Sequence, residues 1–252
     1  MNALLKLFAF LTFLLTSTSI LAMDSGGITV GGTRLIYGES RREVSLSVSN
    51  SDIHPYLIQS WVENLDRGSG KSPFLVTPPL FRLDGNQQDL LRVVRTGDLP
   101  KDRESLFWLN VKSIPSTSER DSVNTLQIAV KTRIKLIYRP KTLKGVPEDM
   151  ADKLSWNLSD NKLTVYNPTP FVMNFNRVKV GNAEVKDVTY VLPMSSATFK
   201  APSVGNGPLS WNLITDYGGE GAVHTAANNS QPKEQTKRAA VYSEQSAKPV
   251  RR

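Results

Sequence analysis

A phosphate-binding loop is the first chemistry that the residue types suggest. Gly-Ser-Gly-Lys-Ser, at residues 68–72, has the glycines, the lysine and the hydroxyl group that hold phosphates in such loops. The motif also requires a glycine five positions before its Gly-Lys pair, where this chain has Leu65, and no helical pattern follows Ser72. We therefore predict that this segment is a turn between two strands.

Side chains for other kinds of catalysis are scarce. The chain has no cysteine, and its two histidines are His54 and His224. Thiol catalysis and cysteine-based metal sites are therefore excluded, and neither a Gly-x-Ser-x-Gly elbow nor a His-Glu-x-x-His run is present. Serine catalysis with a lysine base remains an open alternative. The sequence favours a protein that is not an enzyme and that needs no cofactor.

One long apolar segment, Leu126 to Pro140, predicts a strand that could serve a partner. Its first half alternates large apolar residues with small or polar ones, the period of two of a pleated strand. The predicted strand is longer than the common strand of about five or six residues. A long apolar strand at a sheet edge invites pairing with another chain. Such a strand is therefore either buried in the protein's own sheet or offered to a partner.

Short β-patterned runs recur along the chain and indicate an all-β fold of the sandwich type. Gly, Pro, Asn and Asp separate the runs, and no long segment has a helical period. The predicted strands, besides the long one, are Ile28 to Tyr37, Glu43 to Ser49, Tyr56 to Glu63, Phe74 to Val76, Leu80 to Leu83, Leu90 to Arg95, Ser105 to Ser113, Leu154 to Asn157, Lys162 to Asn167, Phe171 to Val180, Glu184 to Val191, Ser196 to Lys200 and Leu209 to Thr215.

Composition divides the chain into four segments. Residues 1–22 combine Lys6, an apolar core and the small residue Ala22, which is typical of a secretory signal peptide, with a membrane anchor as the alternative. A linker near residues 140–147 separates a predicted domain at 23–141 from a second at 142–222. Residues 223–252 have few large apolar side chains and predict a disordered basic tail, which includes His224.

The chain is basic, with a formal net charge of +8. Removing Lys6 with the signal peptide leaves 8 − 1 = 7 positive charges in excess. Basic surfaces bind nucleic acids, anionic membranes or acidic proteins. Because an exported protein rarely meets nucleic acid, we expect an acidic protein or a carboxylate as the partner, with no nucleic acid and no small-molecule substrate. The alternative is that the excess charge only aids solubility.

Five motifs of this chain resemble motifs of one family, the PapD-like periplasmic pilus (fimbrial) chaperones, and they follow one another in the same order as in that family. Residues 99–116 closely resemble the family signature, with Glu104, Asn110, Ile114 and Pro115 at the expected places. The other matches are Gly32 to Tyr37, Thr77 to Leu83, Lys135 to Pro140 and Asp216 to Gly218. The resemblance spans roughly residues 28 to 220.

The resemblance implies two immunoglobulin-like β-sandwich domains in an L-shaped arrangement, in a protein of the periplasm. Such a chaperone binds and folds pilus subunits by donor-strand complementation. It then delivers them to an outer-membrane usher for fimbria assembly. An exposed strand edge would also favour self-association of the free protein, a point on which the sequence does not decide. A secreted β-sandwich structural subunit or adhesin is the alternative, although a subunit would normally consist of one such domain.

The resemblance assigns Arg34 and Lys135 to the anchoring of the carboxylate at the C-terminus of a bound subunit. A guanidinium can hold a carboxylate through two hydrogen bonds, and an ammonium adds a point charge. Both residues stand in the matched motifs of the first strand and the long strand. The alternative from the pattern alone is that both are ordinary solvated cations.

Leu126, Ile128 and Val130 are the residues that the resemblance assigns to the donor strand. They would fill the groove of a subunit whose immunoglobulin-like fold lacks its last strand. Packing in the protein's own core is the alternative. Strict alternation places Lys135 on the opposite face from these three residues, which strand twist or a bulge near Thr132 would resolve.

Three further expectations come from the resemblance. Glu104, Arg139 and Asp216 match an ionic network that holds the two domains at a fixed angle. The bond between Thr77 and Pro78 is a candidate cis peptide. The short, cysteine-free segment from Ser116 to Thr125 resembles the short-loop class of the family, which assembles rod-like pili.

Overall fold

The structure, a computed structural model, describes residues 26–66, 70–116, 127–159, 161–202 and 207–226. Within these ranges the chain is built from β-strands and one short 3₁₀ helix, which confirms the all-β prediction. No helix in these ranges is long and apolar enough to cross a membrane. The predicted signal peptide, Leu126, most of the segment from Ser116 to Thr125 and most of the tail lie outside the described residues.

The first domain is a sandwich of two sheets. One sheet has the strand order β1-β3-β7-β5 and the other has the order β2-β9-β8-β4-β6. The strands are β1 (Ile28–Val30), β2 (Arg34–Gly38), β3 (Glu43–Asn50), β4 (Tyr56–Glu63), β5 (Phe74–Thr77), β6 (Leu80–Leu83), β7 (Gln88–Arg95), β8 (Ser105–Pro115) and β9 (Val130–Arg139).

Strand β3 shows how alternation in the sequence builds this sandwich. Val44, Leu46 and Val48 are buried and join the core between the sheets. Ser45 is exposed and Ser47 is half-buried on the opposite face. Each fully buried residue of this kind contributes roughly 1.5–3 kcal/mol relative to an exposed one. The chain therefore keeps its apolar side inward and its hydroxyl groups outward, as the alternation predicts.

The second domain begins after a 3₁₀ helix, Pro147–Lys153, and is also a two-sheet sandwich. Its core contains an aromatic cluster in which the ring of Trp156 lies 5.3 Å from that of Phe175 and 5.4 Å from that of Trp211. The strands are β10 (Ser155–Ser159), β11 (Lys162–Asn167), β12 (Met173–Val180), β13 (Ala183–Glu184), β14 (Tyr190–Val191), β15 (Ser195–Lys200), β16 (Leu209–Ile214) and β17 (Glu220–Ala226).

Two predicted strands are each divided in the structure. The run from Ile28 to Tyr37 forms β1 and β2, which belong to different sheets. The change of sheet occurs at Gly31, where a side chain would collide with Ser47, since a Cβ atom there would lie 1.9 Å from the Ser47 Oγ. The run from Glu184 to Val191 is not one strand, because β13 and β14 pair with opposite ends of β12.

The predicted start of the tail at residue 223 is wrong. Strand β17 continues to Ala226 and pairs with β16 along its length. His224, expected in the tail, stacks on Trp211 at 5.9 Å and is hydrogen-bonded to Asp152 at 2.5 Å. The backbone ladder and these contacts hold the strand in place, although the segment has few large apolar side chains.

The predicted long strand begins later than expected, at Val130 rather than Leu126. Ser113 of β8 is opposite Val130, and the same register places Pro115 opposite Ile128. Because proline has no N–H group, the ladder cannot continue past this point. The pairing of β8 with β9 contains no register shift, so a bulge near Thr132 is also excluded.

Other details of the first domain agree with the sequence predictions. The peptide bond between Thr77 and Pro78 is cis. The segment around Lys71 joins β4 to β5, and a strand follows it rather than a helix. Its described part, from residue 70 onward, is therefore a connection between strands, as predicted, whereas residues 67–69 lie outside the described residues.

Candidate functional site

Strands β2 and β9 run parallel and bring two predicted site residues side by side. Arg34 is the register partner of Lys135. Neighbouring strands lie about 4.8 Å apart, and register partners of a parallel pair point to the same face of the sheet. Residues 101 positions apart in sequence therefore present their cationic side chains to one place.

The same strand pair leaves an open edge on β9. Strand β2 covers β9 from Lys135 onward, whereas residues 130–134 are paired on one side only, with β8. The chain has left this sheet before Arg34, because β1 pairs with β3 in the other sheet. Among the described residues, no strand pairs with residues 130–134 of β9 on the side that β2 covers further along, and this gap beside β9 ends at the two cations.

Arg34 is buried, with 9% of its surface exposed, and its hydrogen bonds are incomplete. Its Nη1 donates to the carbonyl oxygen of Ile214, in the second domain, at 3.0 Å. Its Nε is buried and has no hydrogen-bond partner among the described residues. Burial lowers the pKa of this guanidinium, against the opposing effect of Asp216 and Glu148. An uncompensated buried donor is costly, so the geometry favours an additional acceptor here.

Lys135 is held by two residues of the second domain. Its Nζ donates to the Oδ1 of the buried Asn174 at 2.7 Å and lies 4.9 Å from the ring centre of Tyr190. Burial, with a further contribution from the charge of Arg34, lowers the pKa of Lys135 to about 8. The ammonium has three donors, and an anion would restore its usual proton affinity.

The pair is not neutralised by a direct ion pair in the part of the chain that the structure describes. Neither Arg34 nor Lys135 forms an ion pair with a described carboxylate. Two adjacent cations in a partly desolvated cleft attract an anion strongly. A carboxylate suits them, because it can accept hydrogen bonds from the guanidinium and the ammonium together.

The predicted ionic network lies next to this pair, between the domains. Arg139 Nε donates to Glu104 at 2.5 Å, and its two terminal nitrogens donate to Asp216 at 2.5 and 2.9 Å. The other Glu104 oxygen accepts from the backbone N–H of Val172 at 2.7 Å. Arg139 therefore connects a carboxylate of each domain.

Burial has opposite consequences within the network. It raises the pKa of Glu104 to about 7, against the opposing charge of Arg139. Burial also disfavours the charge of Arg139, but its hydrogen bond with Asp216 and the charge of Glu104 raise its pKa overall. Because both Glu104 oxygens accept hydrogen bonds from N–H groups, the geometry accommodates the ionised carboxylate.

Apolar packing joins the domains around the same residues. Leu106 and Ile137 of the first domain form a buried cluster with Val172 of the second. Trp108 also lies edge-on to Tyr190, with ring centres 6.3 Å apart. These contacts place the second domain against the face of β9 that carries Lys135.

The two described donor-strand residues are exposed. Ile128 is 64% exposed and Val130 is 56% exposed, so neither packs in the protein's own core. Even-numbered residues further along β9, such as Ile134 and Leu136, belong to that core. Because β9 has no bulge, Val130 continues this face, opposite to Lys135, and Ile128 precedes the strand by two residues.

Sequence reasoning missed a set of cation–aromatic contacts on the face of β9 that carries Lys135. Lys131 lies 4.9 Å from the ring of Trp61, and Arg133 lies 4.2 Å from the ring of Trp108. Glu63 is within 3.5 Å of both cations. Period-two alternation places all four cations of β9, Lys131, Arg133, Lys135 and Arg139, on one face, but the positions of the aromatic rings depend on register and domain packing.

Fold and site together define a two-domain β protein in which an open strand edge ends at two adjacent, largely buried cations. Family comparison agrees with this class. Residues 27–144 match the model of the pili and flagellar-assembly chaperone PapD N-terminal domain, and residues 149–225 match that of the pili assembly chaperone PapD C-terminal domain. The chain belongs to this family of pilus-assembly chaperones, whose role is not enzymatic.

Individual relatives are similar over most of the chain. The chaperone protein FimC of Escherichia coli strain K12 is 43% identical over 196 residues, which cover 76% of this chain and 80% of FimC. A chain in the solved complex of the Salmonella enterica SafA pilin with the SafB chaperone is 43% identical to this protein, with a TM-score of 0.75. The match includes 80% of this protein and 96% of the solved chain. The periplasmic chaperone SfaE is 39% identical, with a TM-score of 0.67, and 80% of this chain covers all of SfaE.

Proposed function

We propose that this chaperone binds the C-terminal strand of a pilus subunit along the open edge of β9. The terminal carboxylate of that strand is held by Arg34 and Lys135. The observation that carries the proposal is the in-register pair of cations, neither of which forms a direct ion pair with a described carboxylate, at the closed end of the gap beside β9. The solved complex of a pilin with a similar chaperone supports a pilus subunit as the partner.

The gap determines the direction of the bound strand. Its closed end lies at Arg34, and the open edge extends from Ile134 back to Val130. A strand whose carboxylate reaches Arg34 must therefore run from Val130 towards Ile134, parallel to β9. Main-chain hydrogen bonds to the unpaired edge would supply affinity that depends little on the sequence of the bound strand.

The chaperone in turn lends part of its own chain to the subunit. The donor residues Leu126, Ile128 and Val130 would insert into the groove of the incomplete subunit. The core of the subunit would then be continuous with the core of the chaperone's first domain. Burying each donor residue contributes roughly 1.5–3 kcal/mol. A strand from the next subunit would later displace this segment, so release needs neither a nucleotide nor covalent chemistry.

The remaining parts of the proposal concern the setting of this exchange. The chaperone acts in the periplasm after removal of residues 1–22, and it delivers subunits to an outer-membrane usher. The network of Glu104, Arg139 and Asp216 holds the domains so that Asn174 and Tyr190 stay against Lys135. The free protein covers its open edge by self-association. Membership of the short-loop class remains a prediction from the sequence.

Copurification from the periplasm tests the proposal. The full chain is expressed with a pilus subunit, and Arg34→Ala and Lys135→Ala are compared with the wild type. Each charged hydrogen bond is worth about 1.5–3 kcal/mol, so each variant should weaken the complex by about tenfold to a hundredfold. Arg41→Ala, which removes an exposed cation of the same domain, should copurify normally.

Circular dichroism and thermal unfolding establish that the variants are folded. If both folded variants retain the pilus subunit as well as the wild type does, the carboxylate anchor is wrong. If the wild type binds no pilus subunit at all, the strand-binding role is wrong as well.

A further inference from the structure

We infer that Tyr217 is a specificity-determining residue of this chaperone. Of the side chains of the bound strand that face the second domain, Tyr217 contacts the last one. It would favour an apolar or aromatic side chain at that position. The inference rests on the proposed function, since it requires a strand whose carboxylate reaches Arg34. It adds a second recognition element, which acts on a side chain rather than on the terminal charge.

Tyr217 is 99% exposed, the highest value among the large apolar side chains of the described residues. A tyrosine ring offers a large contact area and loses little conformational freedom when it is covered. Such residues are enriched at the centres of protein interfaces. An exposed ring beside a binding cleft is therefore a candidate contact, provided that its backbone is fixed.

The backbone at Tyr217 is fixed by a dense set of hydrogen bonds. The N–H of Thr215 donates to the carbonyl of Gly219 at 2.9 Å, and the N–H of Gly218 donates to the carbonyl of Thr215 at 2.9 Å. The N–H of Gly219 also donates to the Thr215 hydroxyl at 3.0 Å. Asp216, the preceding residue, is held by two nitrogens of Arg139. The turn thus presents the ring from a rigid support, which lowers the entropy cost of binding.

The turn stands at the closed end of the gap beside β9. A Cβ atom on Gly218 would lie 3.1 Å from the Oγ1 of Thr33, the residue immediately before Arg34. The Arg34 guanidinium in turn donates to the carbonyl of Ile214, at the base of the same hairpin. The partner strand must end where Thr33 and Arg34 block the gap. Tyr217 is one residue from that contact, at the end of the gap where the last side chains of the proposed strand would lie.

The register indicates which partner side chain meets the ring. In a parallel pair, register partners point to the same face, as Arg34 and Lys135 do. The side chain of the bound-strand residue that lies beside Arg133 therefore points towards the second domain. The turn that carries Tyr217 lies on this side. An apolar or aromatic side chain there would cover the exposed ring, whereas glycine would leave it in water.

Peptide binding to the full mature chain tests this inference. The probes are short synthetic peptides with alternating apolar residues and a free C-terminus, with Leu, Phe, Gly or Asp at each of the last two positions. The wild type should prefer Leu or Phe over Gly by about tenfold at one position. Tyr217→Ala should reduce that preference to about twofold, and Tyr217→Phe should keep it, because the ring carries the contact.

Two comparisons make the outcome decisive. Val223→Ala removes another exposed apolar side chain, 68% exposed, from the same hairpin and should leave the preference unchanged. The same peptides with an amidated C-terminus test the anchor separately, since amidation removes the charge that Arg34 and Lys135 bind. If Tyr217→Ala discriminates as the wild type does, or if the wild type has no preference, the inference is wrong. The anchor itself fails only if amidation and Arg34→Ala leave binding unchanged.

Discussion

The lowered pKa of Lys135 predicts that binding of a pilus subunit weakens in mildly alkaline solution. Burial and the neighbouring Arg34 bring this pKa to about 8, from an ordinary value of 10.5. Only the protonated ammonium attracts a carboxylate, and a bound carboxylate would favour that form. The protonated fraction of the free site falls from about nine-tenths at about pH 7 to about one-tenth at about pH 9. We therefore expect the affinity to fall about tenfold over this range.

The stability of the free protein should change in the opposite direction. Because the folded-state pKa lies below the unfolded value, the unfolded chain binds more protons between about pH 8 and about pH 10.5. The contribution of Lys135 to the free energy of unfolding therefore rises with pH in this window. Loss of binding near pH 9 cannot then be attributed to a loss of folding at this residue.

The assay titrates a labelled peptide with the C-terminal sequence of a pilus subunit into the chaperone at several pH values, with wild type and Lys135→Arg compared. A guanidinium stays charged throughout, so the arginine variant should show little dependence on pH in this range. A wild-type affinity that is constant from about pH 7 to about pH 9 would refute the assignment of Lys135 as a charged anchor. An equal fall in the arginine variant would place the titrating group elsewhere.

The remaining predictions concern the donor segment and the domain interface. Ile128→Asp should abolish capture of the pilus subunit but change the free energy of unfolding by no more than about 0.5 kcal/mol, because the side chain is exposed. The control variant Ile53→Asp, at another exposed position, should leave capture intact. Equal capture by both variants would contradict the donor role. Arg139→Ala should lower the free energy of unfolding in denaturant by about 3–5 kcal/mol, because it strands the buried Glu104. Because burial raises the pKa of Glu104, its carboxyl group takes up a proton in the folded state before it does so in the unfolded state. The Arg139→Ala variant should therefore regain stability as the pH falls from about 7 towards about 4.5. A further loss of stability over this pH range would contradict the burial argument.

The sequence predicted local structure well where the alternation was regular. The bounds of β4, β6 and β11 match the predicted runs, and β3 buries the residues that its pattern selects. The prediction failed where a non-local contact decides the outcome. Strand β17 depends on pairing with β16, and the late start of β9 depends on Pro115 of its neighbour.

The site could be predicted in part for the same reason. Arg34 and Lys135 stand in motifs that can be recognised in the sequence, and the structure places them side by side. The partners of Lys135 could not be predicted, because Asn174 and Tyr190 belong to the other domain and reach it only through domain packing. The role inferred for Tyr217 likewise depends on the turn that holds it against Thr33.

Hydrogen exchange along β9 would show directly whether a pilus subunit binds at its open edge. Amide exchange would be measured for the free mature chain, for its complex with a pilus subunit, and for a mixture with a subunit that lacks its last residues. We expect strong protection of the edge at residues 130–134 in the complex, and much weaker protection with the shortened subunit. A stable complex in which this edge exchanges as fast as in the free protein would show that the subunit binds elsewhere.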